Sequence, residues 1–155
     1  MELTPDWTFV ADTVMGGVST GALSRVTLDG RAAVQLRGDV SLDNDGGFVQ
    51  MAGDLGQPGP LDASAWTGVE VDIWGNGEVY DLRLRTDDLA RPWQSYRAEI
   101  IARPAWHRLQ VPFADFVPHK TDMPLNTARL RRIGVLGIGR VFRAEVAVAR
   151  LGLYV

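Results

Sequence analysis

The sequence contains no cysteine. Disulfide frameworks, thiolate nucleophiles and cysteine-ligated zinc or iron–sulfur centres are therefore excluded. Histidine is nearly as scarce. His107 and His119 are the only two, and neither lies in a helical metal-binding motif or beside a Gly-x-Ser-x-Gly elbow. A catalytic triad has little to draw on, and His107, on or next to an expected strand, reads as a structural imidazole. Lysine occurs once, at Lys120, among 16 basic residues that are otherwise arginine. Such a bias accompanies GC-rich bacterial genomes. Missing too is any apolar run long enough to cross a bilayer. The start, Met1 to Asp6, lacks both the basic and apolar segments of a secretory signal and the Arg- and Ser-rich character of a transit peptide. A bacterial cytoplasmic protein is the expectation. The formal charge of -3, with a pI near 5.3, offers no net attraction for nucleic acid.

What the chain does have is alternation. Val69, Val71 and Ile73 alternate with Glu70, Asp72 and Trp74, and Leu82 and Leu84 alternate with Asp81, Arg83 and Arg85. These are half-buried strands. Asp29-Gly30 is a two-residue hairpin signal between Leu23–Leu28 and Arg31–Leu36, and Gly75-Asn76-Gly77 predicts a second antiparallel pair in the same manner. Further strands are expected at 48–51, 95–101, 106–111, 132–138 and 141–155. No segment sustains a helical period, although 126–132 suits one turn of helix after an Asn126 cap. The glycine run Gly134, Gly137, Gly139 reverses the dinucleotide-binding order and leads into a strand, so it carries no such function. The fold class is all-β, an antiparallel sandwich or jelly roll. With 155 residues, 46% of them hydrophobic, a single domain over 1–155 is expected.

Two glycine-pair segments stand out. The first is Asp12-Thr13-Val14-Met15-Gly16-Gly17-Val18-Ser19 and the second is Asn44-Asp45-Gly46-Gly47-Phe48. Glycine takes positive φ at little steric cost, so both predict tight turns with polar groups converging on them. Together they resemble the complex I intermediate-associated protein 30 family, which carries these two segments in its N-terminal half. The resemblance continues through Tyr80, Leu82-Arg83, Tyr96, Trp106, Pro112-Phe113 and Phe116-Val117-Pro118. It ends on Val146, Val148, Leu151 and Leu153, which are similar to the family's closing strand. There the family's usual phenylalanine falls at Ala144, and Phe142 is expected to repack into the space. The resemblance implies a galactose-binding-like jelly roll. It also implies protein–protein contact as an assembly or chaperone-like factor, because the family's mitochondrial members help assemble respiratory complex I. A respiratory-complex subunit is one such partner.

Three groups of residues are candidates for function. Asp12, Ser19, Asn44 and Asp45 offer hard oxygen ligands of the kind that hold a structural Ca²⁺. The plainer reading is that Asp12 and Ser19 bond local amides and that the glycines permit the turns. Second, strand alternation turns Asp72, Trp74, Arg83, Arg85, Arg97, Glu99, Arg108 and Gln110 away from the core, where they can line one polar surface. A tryptophan among arginines and carboxylates suits a sugar or a protein partner equally, and an ordinary solvated face is the alternative. Third, the loop aromatic Trp93 is a binding candidate, whereas Phe113 and Phe116 read as plugs for the sandwich edge. No catalytic residue and no cofactor is assigned. The reading is a non-catalytic binding protein of the assembly-factor kind; the alternative is a carbohydrate-binding module that uses the aromatic and arginine-lined face.

Overall fold

The computed structural model describes residues Met1–Val155. The strands in chain order are β1 (Glu2–Leu3), β2 (Thr8–Ala11), β3 (Thr20–Leu28), β4 (Arg31–Val40), β5 (Phe48–Asp54) and β6 (Gly68–Gly75), then β7 (Val79–Thr86), β8 (Ser95–Ile101), β9 (His107–Pro112), β10 (Val117–His119), β11 (Leu130–Ile138) and β12 (Phe142–Tyr154). They form two six-stranded antiparallel sheets. The first runs β3-β4-β12-β6-β9, with β1 added beside β12; the second runs β10-β8-β7-β11-β5-β2. Consecutive strands repeatedly change sheet, which is the jelly-roll path, and the only helical pieces are single 3-10 turns.

Alternation explains the layering. Val69, Val71 and Ile73 of β6 are buried against Leu82 and Leu84 of β7, Met51 of β5, and Ile133 and Val135 of β11, within one core of 29 buried residues. Each large aliphatic side chain buried there contributes about 1.5–3 kcal/mol. In β12 the inward positions switch from even (Ala144, Val146, Val148) to odd (Leu151, Leu153). A register shift against β6 between Val148 and Arg150 inserts the extra residue that makes this possible. Beside the buried Ala144, Phe142 meets Tyr80 edge-on at 5.9 Å between ring centroids and packs against the core as expected.

The Asp29-Gly30 turn forms as the dipeptide predicts, with both residues at positive φ (45° and 79°) and β3 paired to β4. The Gly75-Asn76-Gly77 expectation fails. β6 and β7 belong to different sheets, and these residues carry the chain across the sandwich edge instead of closing a hairpin. The amides of Gly75 and Gly77 are taken by Arg103 O and Ala102 O, and Ala102 lies against Gly75 where a Cβ would otherwise stand. Tyr80 fixes the crossing. Its buried hydroxyl donates to Asn76 Oδ1 at 2.6 Å and accepts the Glu145 amide of β12 at 2.9 Å, which joins the two sheets. Asn126 caps a 3-10 turn, Thr127–Arg129, through Ala128 N, and Phe113 and Phe116 close the edge of the core.

Candidate functional site

At one end of the sandwich the two glycine-pair loops meet around a single buried carboxylate. Asp12 is fully buried in a 3-10 turn, Asp12–Met15, that follows β2. Its Oδ1 accepts from Ser19 N at 3.0 Å, and its Oδ2 accepts from Ser19 Oγ, from Gly47 N at 2.6 Å and from Phe48 N at 3.2 Å. Burial alone would raise the carboxyl's pKa. The bonds from the Ser19 hydroxyl, Gly47, Ser19 N and Phe48 outweigh it and hold the group below its ordinary range. Ser19 then ties in β4 through the Ser41 amide at 2.9 Å, and Gly47 O accepts from Gly139 N at 2.9 Å, so a third loop joins.

Each glycine pair divides its labour. Gly16 and Gly47 supply positive φ, 89° and 142°. Gly17 and Gly46 supply room: a Cβ at either would lie 2.5 Å from an Asp12 carboxylate atom. Asp12 commits its oxygens to these donors while Asn44 and Asp45 stand exposed on the second loop, and no group of three acidic or histidine side chains is arranged to hold a metal ion. The loops so held turn apolar side chains outward. Val14 is 73% exposed, Met15 59%, Val18 46%, Leu42 47% and Val141 71%.

The polar residues expected on one surface divide between opposite faces of the molecule. Asp72, Trp74, Arg108 and Gln110 lie on the outer side of the first sheet; Arg83, Arg85, Arg97 and Glu99 lie on the outer side of the second. Alternation fixes which way a side chain points but not which sheet its strand joins. The misread β6–β7 connection is what merged the two sets.

On the first sheet the charges satisfy one another. Asp72, buried, accepts from Arg108 Nε at 2.7 Å and Nη2 at 3.1 Å, and from Arg31 Nη2 at 3.0 Å. Glu70 accepts from Gln110 and from Arg150, each at 2.8 Å. Both carboxyls are held below their ordinary pKa, Asp72 chiefly by the Arg108 hydrogen bond and Glu70 chiefly by Gln110. The tip of the β3–β4 hairpin crosses this face. Arg31 lies over the Trp106 ring at 5.1 Å, and Trp106 Nε1 donates to Leu28 O at 2.7 Å. Trp74 is half-buried, and its Nε1 is enclosed without an acceptor.

The second sheet is different. Asp81, 2% exposed, accepts from Arg83 Nε and Nη2 (3.1 and 2.8 Å) and from Arg97 Nη2 (3.0 Å). Beside it a depression of about 250 Å³ is lined by Arg83, Arg97, Glu99, His119, Lys120 and Arg140, among others. Arg97 Nε and Nη1, the Lys120 ammonium and the His119 ring make no hydrogen bond with the protein. Burial, then the charges of Arg83, Lys120 and Arg97, push the His119 pKa down despite the nearby Asp81. Arg85 spends its guanidinium on the carbonyls of Gln94 and Arg91, anchoring the loop that carries Trp93, which is 56% exposed with Arg91 at 6.0 Å from its ring. His107 faces the carbonyls of Ala105 and Ile101, a structural role as expected.

Sequence reasoning passed over Asp81, His119, Lys120 and Arg140 as site residues. Asp81 had a signal, the outward phase it shares with Arg83 in β7; the other three stand at strand ends, where periodicity is silent. A larger cleft of about 480 Å³ between β1, β4 and β12 is mainly apolar and gathers no comparable set of donors.

No curated protein matches the sequence. Among solved structures, the chain is similar to the family 11 carbohydrate-binding module of the cellulosomal cellulase Lic26A-Cel5E of Clostridium thermocellum, with a TM-score of 0.78 at 13% identity over 98% of this chain and 88% of the module. The family 11 module from the same organism in complex with a beta-1,3-1,4-mixed-linked tetrasaccharide gives 0.75 at 14% identity, covering 99% of this chain and 91% of that one. The family 30 module of the Clostridium thermocellum cellulase Cel9D-Cel44B gives 0.68 at 14% identity, covering 98% and 94%. At such identities these likenesses establish the fold alone, an antiparallel jelly-roll β-sandwich. The sequence itself matches the family described as complex I intermediate-associated protein 30 over residues 1–145, which spans both glycine-pair loops, the Arg83–Arg97 face and the start of β12. The chain therefore belongs to the complex I intermediate-associated protein 30 family.

Proposed function

We propose that this is a non-catalytic binding domain that docks a partner protein through the loop end organised by Asp12, in the manner of an assembly factor. The observation that carries the reading is the combination found there. A buried carboxylate fixes the backbone of the Asp12–Ser19 loop, and that fixed loop holds Val14, Met15 and Val18 in solvent. A turn needed only for folding gains nothing from exposed apolar side chains, whereas a docking surface gains both contact area and low ordering cost. The family's name, with its reference to an intermediate of complex I, agrees with protein contact. Absence of catalysis agrees with the buried acids: Asp12, Glu70, Asp72 and Asp81 each commit their oxygens to N–H or O–H donors, which leaves none poised for proton transfer. The test is paired affinity capture with the wild type and a Val14→Ser/Met15→Ser variant as baits. Partners retained by the first and lost by the second, at unchanged melting temperature, support the reading; identical retention overturns it.

A second reading, carbohydrate binding, is favoured by a separate observation: the polar depression on the outer side of the second sheet, with Trp93 in a loop anchored at its end. The similar module solved with a tetrasaccharide agrees with it. A glycan screen followed by titration against Trp93→Ala tests it; binding that survives both Trp93→Ala and Arg97→Ala overturns this placement.

A further inference from the structure

We infer that the depression beside Asp81 is a subsite for a sugar bearing an acid group, either a uronic carboxylate or a phosphate monoester. The inference rests on the carbohydrate reading and specifies its ligand class. Three observations carry it.

The first is an imbalance of donors. Neutral sugars present hydroxyls that both donate and accept, and sites for them mix side-chain amides and carboxylates with donors. Here the buried acceptor is spent. Both Asp81 oxygens are taken by Arg83 and Arg97, and Glu99 Oε1 faces Arg97 Nη2 at 3.5 Å. Besides the exposed outer oxygen of Glu99, the charged groups left over are donors: Arg97 Nε and Nη1, which point in different directions, Arg83 Nη1 and the Lys120 ammonium. Each such charged N–H can donate a charge-assisted bond to an oxyanion.

The second is charge. The depression is lined by Arg83, Arg97, Lys120 and Arg140 against Asp81 and Glu99, four cationic groups against two anionic ones, in a chain whose overall formal charge is -3. Arg140 also pairs with Glu78 at 2.7 Å, outside the lining, and Arg83 and Arg97 pair with Asp81 and Glu99, so the remaining excess of positive charge rests on Lys120.

The third is rigidity. Asp81 is 2% exposed and grips Arg83 through two nitrogens, so these guanidiniums are placed before any ligand arrives. At about 250 Å³ the space suits one sugar ring with its acid group, not a long chain.

His119 supplies the reporter. Burial and then the charges of Arg83, Lys120 and Arg97 push its pKa down, with Asp81 acting the other way. An acid group among those cations reverses the balance and raises the His119 titration midpoint. The experiment is an NMR titration of the whole protein, following the His119 ring signal from pH 5 to 8, with galacturonate, glucose 6-phosphate, galactose, glucose and inorganic phosphate as separate probes. The acid sugars are expected to bind at least about tenfold more tightly than their neutral parents and to raise the midpoint, with Arg97→Ala weakening them about tenfold. Galacturonate binding without glucose 6-phosphate identifies a carboxylate subsite, and the reverse a phosphate subsite. Neutral sugars binding as tightly as acid ones overturn the inference while leaving the carbohydrate reading intact. Inorganic phosphate matching the acid sugars overturns the saccharide part, and failure of every probe to move His119 overturns both.

Discussion

Replacing Asp12 by asparagine isolates what the buried carboxylate contributes. Its Oδ2 serves three donors, Ser19 Oγ, Gly47 N and Phe48 N, and its Oδ1 serves Ser19 N. An asparagine can place its carbonyl oxygen at the first position, where it satisfies at most two of the three, and must then turn an NH₂ toward Ser19 N. The result is a donor facing a donor and one bond left unmade, with the surviving bonds weakened by loss of the charge. At roughly 1.5–3 kcal/mol per charge-assisted bond, the loss is about 3–4 kcal/mol. In a domain of this size that corresponds to a fall in melting temperature of roughly 6–16 °C. The pH dependence has a definite sign. The folded-state pKa lies below its ordinary value of 3.8, so the carboxylate's contribution is complete above that pH and is lost as pH falls through the lower folded value. Thermal melts of both proteins at pH 7, 5 and 3 should therefore show a full gap at pH 7 and pH 5 that narrows at pH 3. A variant melting within about 2 °C of wild type at pH 7, or a gap of constant size across the three pH values, would refute the account of Asp12 as an ionised keystone.

Gly17→Ala and Gly46→Ala should each cost about 2–3 kcal/mol, because the new methyl meets the Asp12 carboxylate, whereas Gly16→Ala, which meets nothing, should cost about 1 kcal/mol for its positive φ alone; urea midpoints rank them. Tyr80→Phe should lose about 1–2 kcal/mol at neutral pH by stranding the Glu145 amide. Burial raises the Tyr80 phenol to about 12, so the wild-type advantage is full below the unfolded value of 10.0 and shrinks as pH rises through the interval; urea unfolding at pH 7, 9 and 11 follows it. Trp74→Phe removes an indole N–H that has no acceptor and should cost less than about 1 kcal/mol, while Trp106→Phe breaks the bond to Leu28 O and should cost about 1–2 kcal/mol. Equal losses for the two would show that the Trp74 nitrogen has found a partner.

Strand existence and facing were legible because alternation is a local property: β6, β7 and β8 turn the side chains inward that their periodicity announces. Sheet membership was not, since the step from Gly75 to Val79 looks like a turn in sequence and differs from one only through Ala102 and Arg103, residues far along the chain. That single ambiguity joined Trp74 and Arg108 to Arg83 and Arg97. The preferred reading of the glycine-pair loops, local bonding by Asp12 and Ser19, agrees with the geometry. What the residues did not reveal is that Asp12 reaches across to Gly47 and Phe48, because nothing within either segment indicates that they touch. The short strands β1, β2 and β10 escaped for a simpler reason: with two to four residues each, they have no period to detect.

The room that Gly17 and Gly46 leave for one carboxylate has an evolutionary consequence. A chain drifting from this arrangement has no comfortable single step to take. Losing Asp12 leaves amides at 19, 47 and 48 without an acceptor, and gaining a side chain at 17 or 46 evicts the acid that those amides require. Only a coordinated change of all three escapes the penalty, so kinship between such chains should remain written at these positions long after the sheets around them have exchanged nearly every other residue.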